Sequence, residues 1–243
     1  LKAWMIVLIL LFGCSPKQEN KISILSPFGA PSIPWIEAIK EDRHDITLVS
    51  GTDLLLAGLI NQNPTYDFIV APINMGVGLL AKNQTDYLLL GILTWGNLYI
   101  VGQDTDDLLS DKPIAMFGKD AVPEKIVDYS IGPSILTMQK QYFPSMLDTQ
   151  AQLLTKQMEV ALLAEPLVSA TLAQNKDLKI LIDVQQQYRQ TSGFDNYPQA
   201  AIFVLKSYYS SNKNKTTDLM QELMAYIEVI KQDPTILKND LDT

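Results

Sequence analysis

The sequence is poor in the side chains that most chemistry requires. Across 243 residues it holds one cysteine, one histidine and two arginines. One cysteine and one histidine cannot supply the Cys/His ligand set of a structural zinc site, and nothing in the pattern calls for a cofactor. The histidine, His44, lies in "KEDRHD", which reads as a solvated helix end rather than as the base of a catalytic triad. Basic residues are scarce as well. Lys and Arg total 19 against 27 Asp and Glu, a net charge of −8, and nowhere do they cluster. Nucleic acid is held through clustered phosphate contacts, so it is excluded as a partner.

What is present is apolar. The chain is 47 % hydrophobic and 19 % charged, enough for one large or two modest domains with real cores. It opens with "LKAWMIVLILLFGC", in which Lys2 precedes an apolar run at residues 3–12. Ten apolar residues are too few for a bilayer span of about twenty, so the run fits the hydrophobic region of a targeting signal. The segment resembles a bacterial lipoprotein signal, with "LFGC" as the cleavage region and Cys14 as the lipidated residue. Residues 1–13 are then the signal peptide, and 14–20, containing "SPKQEN", a tether to the membrane.

From residue 21 onward short apolar runs alternate with helical patterns. "KISIL", "DITLVSG" and "YDFIVAP" read as strands, each followed by a helix, with Ser32 and Thr52 as N-caps of the first two. Trp35 falls at helical spacing with Ile36 and Ile39 and reads as core. "YLLLGIL" and "NLYIVGQ" follow as two apolar runs, then the strand "KPIAMFG" and the helix "PEKIVDYSI", with Pro123 in its first turn. The strands "MQKQYF", "MEVALLAEP", "LKILIDV" and "QAAIFVLK" complete the set, with helices over "MLDTQAQLLTKQ", "PLVSATLAQN" and "TTDLMQELMAYIEVIKQ". This alternation predicts an α/β fold with mixed, mostly parallel sheets covered by helices. The polar stretches after "NLYIVGQ" and "QAAIFVLK" suggest that the chain leaves a first lobe near 103 and returns near 203. That gives a first lobe from 21–103 and 203–243, and an inserted second lobe at 104–202 able to hinge over a ligand.

Five segments, in order, carry a resemblance to a known family: "FGAPS" (28–32), "DFIVAPINM" (67–75), "GILTWGNLYIVG" (91–102), "GKDAVPEKIVDY" (118–129) and "ALLAEPLVSATL" (161–172). Together they resemble the extracytoplasmic substrate-binding lipoproteins of ABC importers, in the branch of thiamine-pyrimidine and alkylsulfonate or nitrate binders. The resemblance implies the type II periplasmic-binding-protein fold, two α/β lobes with the ligand between them. It also implies a monomer whose partners are a small molecule, an ABC permease and its ATPase. Members usually continue for several helices past the position of Lys231, so the return to the first lobe is expected to be short.

Binding groups are expected in the β-to-α loops, where helix N-termini present free N–H groups. The first lobe offers Phe28, Gly29, Ala30, Ser32, Thr52 and Asn74. Thr94 and Trp95 come from the first crossover. Gly118, Asp120, Ala121, Glu165 and Tyr197 come from the second lobe and the return. Each glycine also serves as a turn residue, and Ser32 and Thr52 as caps. Glu165 closes an apolar strand just before Pro166, which places its carboxylate at the sheet edge facing the crevice. It either complements the N-terminus of its own helix or anchors a ligand, and the resemblance favours the ligand. A carboxylate suits an amine or aminopyrimidine-like molecule better than a sulfonate, for which arginine is the natural partner.

Two rivals share this pattern: a small-molecule enzyme of the menaquinone-pathway type on the same fold, and a lipoprotein that senses a ligand without transporting it. The lipoprotein reading yields a direct test. Cys14→Ala is expected to abolish incorporation of labelled lipid and to leave the chain uncleaved or released from membranes; lipid labelling of the variant would overturn it.

Overall fold

A computed structural model describes residues 21–109, 111–132 and 138–241; Cys14 and the signal-like segment lie outside them. Ten strands form two five-stranded sheets. The first sheet contains β1 (Ser23–Pro27), β2 (Asp45–Val49), β3 (Phe68–Pro72), β4 (Tyr87–Trp95) and β10 (Pro198–Leu205), in the order β2-β1-β3-β10-β4. The second contains β5 (Leu98–Gly102), β6 (Ile114–Met116), β7 (Lys140–Tyr142), β8 (Val160–Ala164) and β9 (Lys179–Asp183), in the order β7-β6-β8-β5-β9. In each sheet four strands run one way and one runs against them. The reversed strand is β10 in the first sheet and β5 in the second, each antiparallel to both neighbours.

Those reversed strands are the ones delivered from the other lobe, which corrects the lobe boundaries expected near 103 and 203. The chain leaves the first sheet after Trp95, takes only Gly96 and Asn97, and enters the second sheet at Leu98. It comes back just before Pro198. Polar composition marks exposed loops, whereas these crossings are apolar strands buried on both faces, so the polar signal trails the true crossing by several residues. Along β10, Ala200, Ile202 and Val204 enter one core cluster while Ala201 and Phe203 enter another, and all five are buried. Along β5, Leu98 and Ile100 face one cluster and Val101 the other. This alternation is the period-2 pleat acting in a strand with no solvent face.

Helices cover both faces: α1 (Ile36–Lys40), α2 (Thr52–Ile60), α3 (Ile73–Ala81), α4 (Val122–Ser130), α5 (Met146–Leu154), α6 (Leu167–Gln174), α7 (Val184–Ser192), α8 (Lys206–Ser211), α9 (Lys213–Gln232) and α10 (Pro234–Leu241). Among the described residues, no helix is long and apolar enough to cross a membrane. The segment expected as one helix after β1 is a 3-10 turn over Ala30–Trp35 followed by the short α1. Ser32 is not its N-cap; its hydroxyl donates back to the Gly29 carbonyl at 2.8 Å. Nor does Thr52 cap α2: it is the first helical residue, after Gly51. Trp35 is fully buried, as expected of a core residue.

Three helices were not anticipated. α7 replaces what reads as a polar "QQQ" run, yet it has clear end signals: Asp183 accepts from the Gln186 N–H at 3.0 Å, and Gly193 closes the helix with φ 76°. α10 follows Asp233, whose carboxylate accepts from the Thr235 N–H at 3.0 Å, and α8 fills the expected loop after β10. α10 docks back onto α1, with Asp240 taking Lys40 at 2.9 Å and the Tyr226 hydroxyl at 2.8 Å.

His44 is not a solvated helix end. Its side chain is only 12 % exposed, and Nε2 lies 3.2 Å from Glu222 on α9. Arg43 reaches the same Glu222 at 2.9 Å, and also Glu37 and Glu41. The charges of "KEDRHD" therefore bind the last long helix to the first lobe.

The two crossings touch. The Gly96 N–H donates to the Tyr197 carbonyl at 2.9 Å. A β-carbon on Gly96 would sit 2.4 Å from the Tyr197 ring and 2.5 Å from Asn196 Oδ1. Gly96→Ala is therefore expected to destabilise by about 1–3 kcal/mol, the usual scale of overpacking. Urea unfolding measures it, and an unchanged midpoint would show that the crossings can part without cost.

Candidate functional site

Between the lobes lies a cleft of about 190 Å³. Its position follows from strand order. Sequential strands diverge between β1 and β3 in the first sheet and between β6 and β8 in the second, and ligands bind outside the carboxyl ends of strands at such points. The loops after β1, β6 and β8 converge there from opposite sides.

The first-lobe wall is Pro27, Phe28, Gly29, Ala30 and Pro31, with Thr52 and Leu55 from α2 and Pro72 from the end of β3. Gly29 has φ 103° and ψ −152°, a conformation open essentially to glycine alone, so the turn that presents Phe28 depends on it. Phe28 is 58 % exposed, a large apolar ring at the mouth of the cleft.

The second-lobe wall is Phe117, Gly118, Ala121, Val122 and Pro123, with Met146 from α5. This loop is held from behind. Glu124 accepts from the Asp120 N–H at 2.6 Å and from the Tyr142 hydroxyl. The Tyr142 hydrogen bond, then that of Asp120, keeps the Glu124 carboxyl below the usual carboxylate range, while burial raises the Tyr142 hydroxyl.

The floor is made by the crossings: Thr94, Asn97, Gln199 and Ala200, beside Ala164 and Glu165 at the end of β8. Thr94 Oγ1 accepts from the Ala200 N–H at 3.2 Å, closing an irregular stretch of the β4–β10 ladder. Polar atoms thus gather at the bottom and apolar side chains form the walls. Among the described residues, Glu165 is the only charged side chain in the lining, which contains no lysine, arginine, histidine or cysteine.

Eight of the residues expected at the site line this cleft: Phe28, Gly29, Ala30, Thr52, Thr94, Gly118, Ala121 and Glu165. Five do not. Ser32 faces back onto its own turn. Asn74 is exposed on the first turn of α3, and Asp120 is exposed and outside the lining. Trp95 stands half-exposed at the end of β4 without entering the lining. Tyr197 is 1 % exposed and belongs to the second-lobe core. Its hydroxyl donates to Gln185 at 2.8 Å, its ring packs edge-on against Tyr188, and burial pushes the hydroxyl pKa up. For Trp95 and Tyr197, at the two crossings, the reason is one of register: side chains alternate faces along an extended segment, and spacing alone does not say which face meets the cleft. Asn97 and Gln199 were missed, although each adjoins or opens a stretch that marks a crossing.

Glu165 holds a partner that sequence spacing does not suggest. Its strand stops at Ala164, although the ladder gains one further rung through the Glu165 N–H to the Asn97 carbonyl at 3.1 Å. Pro166, joined to Glu165 through a cis peptide bond, takes the N-cap position of α6 rather than starting the helix. The Glu165 carboxylate then accepts from the Ser169 N–H at 3.1 Å and the Ser169 hydroxyl at 2.9 Å. It caps its own helix while lining the cleft, so its removal cannot relieve an unpaired charge. Glu165→Ala is expected to lower stability by about 0.5–2 kcal/mol and Glu165→Gln, which keeps an acceptor, by less. Thermal and urea melts of the ligand-free variants check this ordering.

No protein-family model matches the chain, and no curated protein sequence does. Solved structures share its fold. An ABC transporter from Parabacteroides distasonis is 21 % identical, with TM-score 0.75 over 92 % of this chain and 78 % of that one. The periplasmic aliphatic sulphonate binding protein SsuA from Escherichia coli is 13 % identical, with TM-score 0.66 over 91 % and 77 %. The periplasmic nitrate-binding protein NrtA from Synechocystis is 13 % identical, with TM-score 0.65 over 93 % and 66 %. The chain has the two-lobed type II periplasmic-binding-protein fold.

Proposed function

We propose that the chain is the solute-binding component of an ABC import system, working outside the cytoplasm as a monomer tethered through a lipid on Cys14. It captures a small organic molecule in the cleft and delivers it to the permease and its ATPase. The observation that carries this reading is the cleft itself, an apolar slot with a polar floor laid on both crossings between two lobes. A ligand held there touches both lobes and the segments about which they move, which suits capture and closure. The described lining holds no histidine, cysteine or lysine, and its one carboxylate, Glu165, is engaged by Ser169, which does not favour the rival enzyme reading.

The ligand we favour is an amine or an aminopyrimidine-like ring. Glu165 retains lone pairs beyond the two used by Ser169 and can accept from a cationic or N–H donor. An anion such as the sulphonate named for one structural relative finds no basic side chain in the lining. Three of the helices that open on the cleft also carry a carboxylate in their first turns, Asp53 in α2, Glu124 in α4 and Asp148 in α5. Each offsets the favourable end of the helix dipole that an anion would use, an effect of about 0.3–1 kcal/mol apiece.

Native mass spectrometry of freshly purified protein should find a bound small molecule, and X-ray scattering should show the radius of gyration falling when that molecule is added back to stripped protein. Glu165→Gln should weaken an amine-bearing ligand by one to two decades, about 2–3 kcal/mol, for the lost charge-assisted bond. An anionic molecule in the spectrum, bound equally well by Glu165→Gln, would sink the amine reading.

A further inference from the structure

Asn97 is the second of the two residues that carry the chain from β4 to β5. Its backbone carbonyl takes the Glu165 N–H at 3.1 Å, and its Nδ2 donates to the Glu165 carbonyl at 3.3 Å. The side chain thus adds a rung to the antiparallel ladder of β5 and β8 and ties the crossing to the strand that ends at the cleft floor. That rung also fixes the orientation of the amide. Turning it over would set Oδ1 against the Glu165 carbonyl, acceptor against acceptor.

With Nδ2 spent, Oδ1 is left buried and without a donor. Buried polar groups almost always have a partner, and an orphaned acceptor costs free energy. Of the described side chains with such an orphaned atom, Trp35, Arg43, His44, Asn97 and Ser130, only Asn97 lines the cleft. The others lie in the lobe interiors or in the charged cluster on α9.

We propose that Asn97 is a specificity-determining residue of the cleft, its Oδ1 accepting an N–H of the bound solute beside Glu165. This rests on the reading of the cleft as a solute site for an amine or aminopyrimidine-like molecule. Oδ1 is closed off from water in the present arrangement, so a solute meets it by entering with the lobes apart, and the bond is then made in a dry site. Two acceptors from bonded neighbours in the lining, the Glu165 carboxylate and Asn97 Oδ1, favour a group with two N–H bonds, which an exocyclic amine supplies and a sulphonate or nitrate does not. Because Asn97 is itself part of a crossing, the bond ties recognition to the segment about which closure turns.

The test uses Asn97→Leu, which removes both amide groups at similar size, and Asn97→Gln, which keeps both the donor and the acceptor. The probes are 4-aminopyrimidine and pyrimidine, followed by calorimetry, with melts of the ligand-free proteins alongside. Wild type should prefer 4-aminopyrimidine. Asn97→Leu should weaken that compound about tenfold while leaving pyrimidine unchanged, and Asn97→Gln should keep the preference. The ligand-free melting point of Asn97→Leu should hold, because loss of the Nδ2 rung to the Glu165 carbonyl is offset by removal of the orphaned oxygen. A lower melting point with the preference intact would overturn the proposal and leave Asn97 a structural rung only. If wild type binds neither probe, the aminopyrimidine-like reading fails by itself. The melts then decide for Asn97: a raised or equal midpoint for Asn97→Leu supports an acceptor kept for a ligand, and a lowered one overturns it.

Discussion

The architecture depends on the close contact of the two crossings. The Gly96 N–H meets the Tyr197 carbonyl at 2.9 Å, with the Tyr197 ring filling the space where any larger residue at 96 would stand. Gln185 Oε1 joins them again, accepting from the Leu98 N–H at 2.7 Å and the Tyr197 hydroxyl at 2.8 Å. Residues about a hundred positions apart are thereby bound at one place, and each crossing immediately becomes an interior strand of the other sheet. Moving one lobe against the other means bending two short segments that are already paired, so rotation about that line is the soft direction. The cleft lies on the same line.

The distribution of polarity in the cleft follows from this. Apolar walls from Phe28, Pro72, Phe117 and Met146 supply burial without directional demands, while most of the hydrogen-bonding side chains of the described lining, Thr94, Asn97, Glu165 and Gln199, stand at the floor where the chain geometry is most constrained. Directional bonds are selective only when their atoms are held still. Asn97 is held by two bonds to Glu165, and Glu165 by two to Ser169. The Asp120 loop, which lines the cleft from the other lobe through Gly118 and Ala121, is held by Glu124 and Tyr142.

A second ionic region does structural work far from the cleft. Arg43 and His44 share Glu222, and Lys40 with Tyr226 holds Asp240, so α9 and α10 are bound to α1 through charges as well as through Leu219, Leu223 and Tyr226. These basic and aromatic residues stand where acidic side chains from three helices meet. Scarcity of cations is therefore compatible with a well-tied first lobe, and leaves none for the cleft lining.

Much of this was legible in the sequence. Apolar runs of period two alternating with helical periodicity fixed the order of strands and helices, because both patterns report how a segment faces its own core and need no knowledge of partners. The β-to-α loops followed, and with them Phe28, Gly29, Thr52, Gly118 and Glu165 at the cleft. The ends of α7 were legible too, in Asp183 and Gly193, although a run of glutamines masks them. The tertiary structure alone decided which sheet receives β5 and β10. A strand buried on both faces reads the same whatever its neighbours, so nothing in "NLYIVG" or "QAAIFVLK" names the lobe that holds it. It alone turned Tyr197 into core, gave Glu165 its partner in Ser169, and left Asn97 with an unanswered oxygen. Those outcomes depend on where atoms distant in sequence come to rest, and a hydrogen bond is decided by tenths of an ångström that local patterning does not encode.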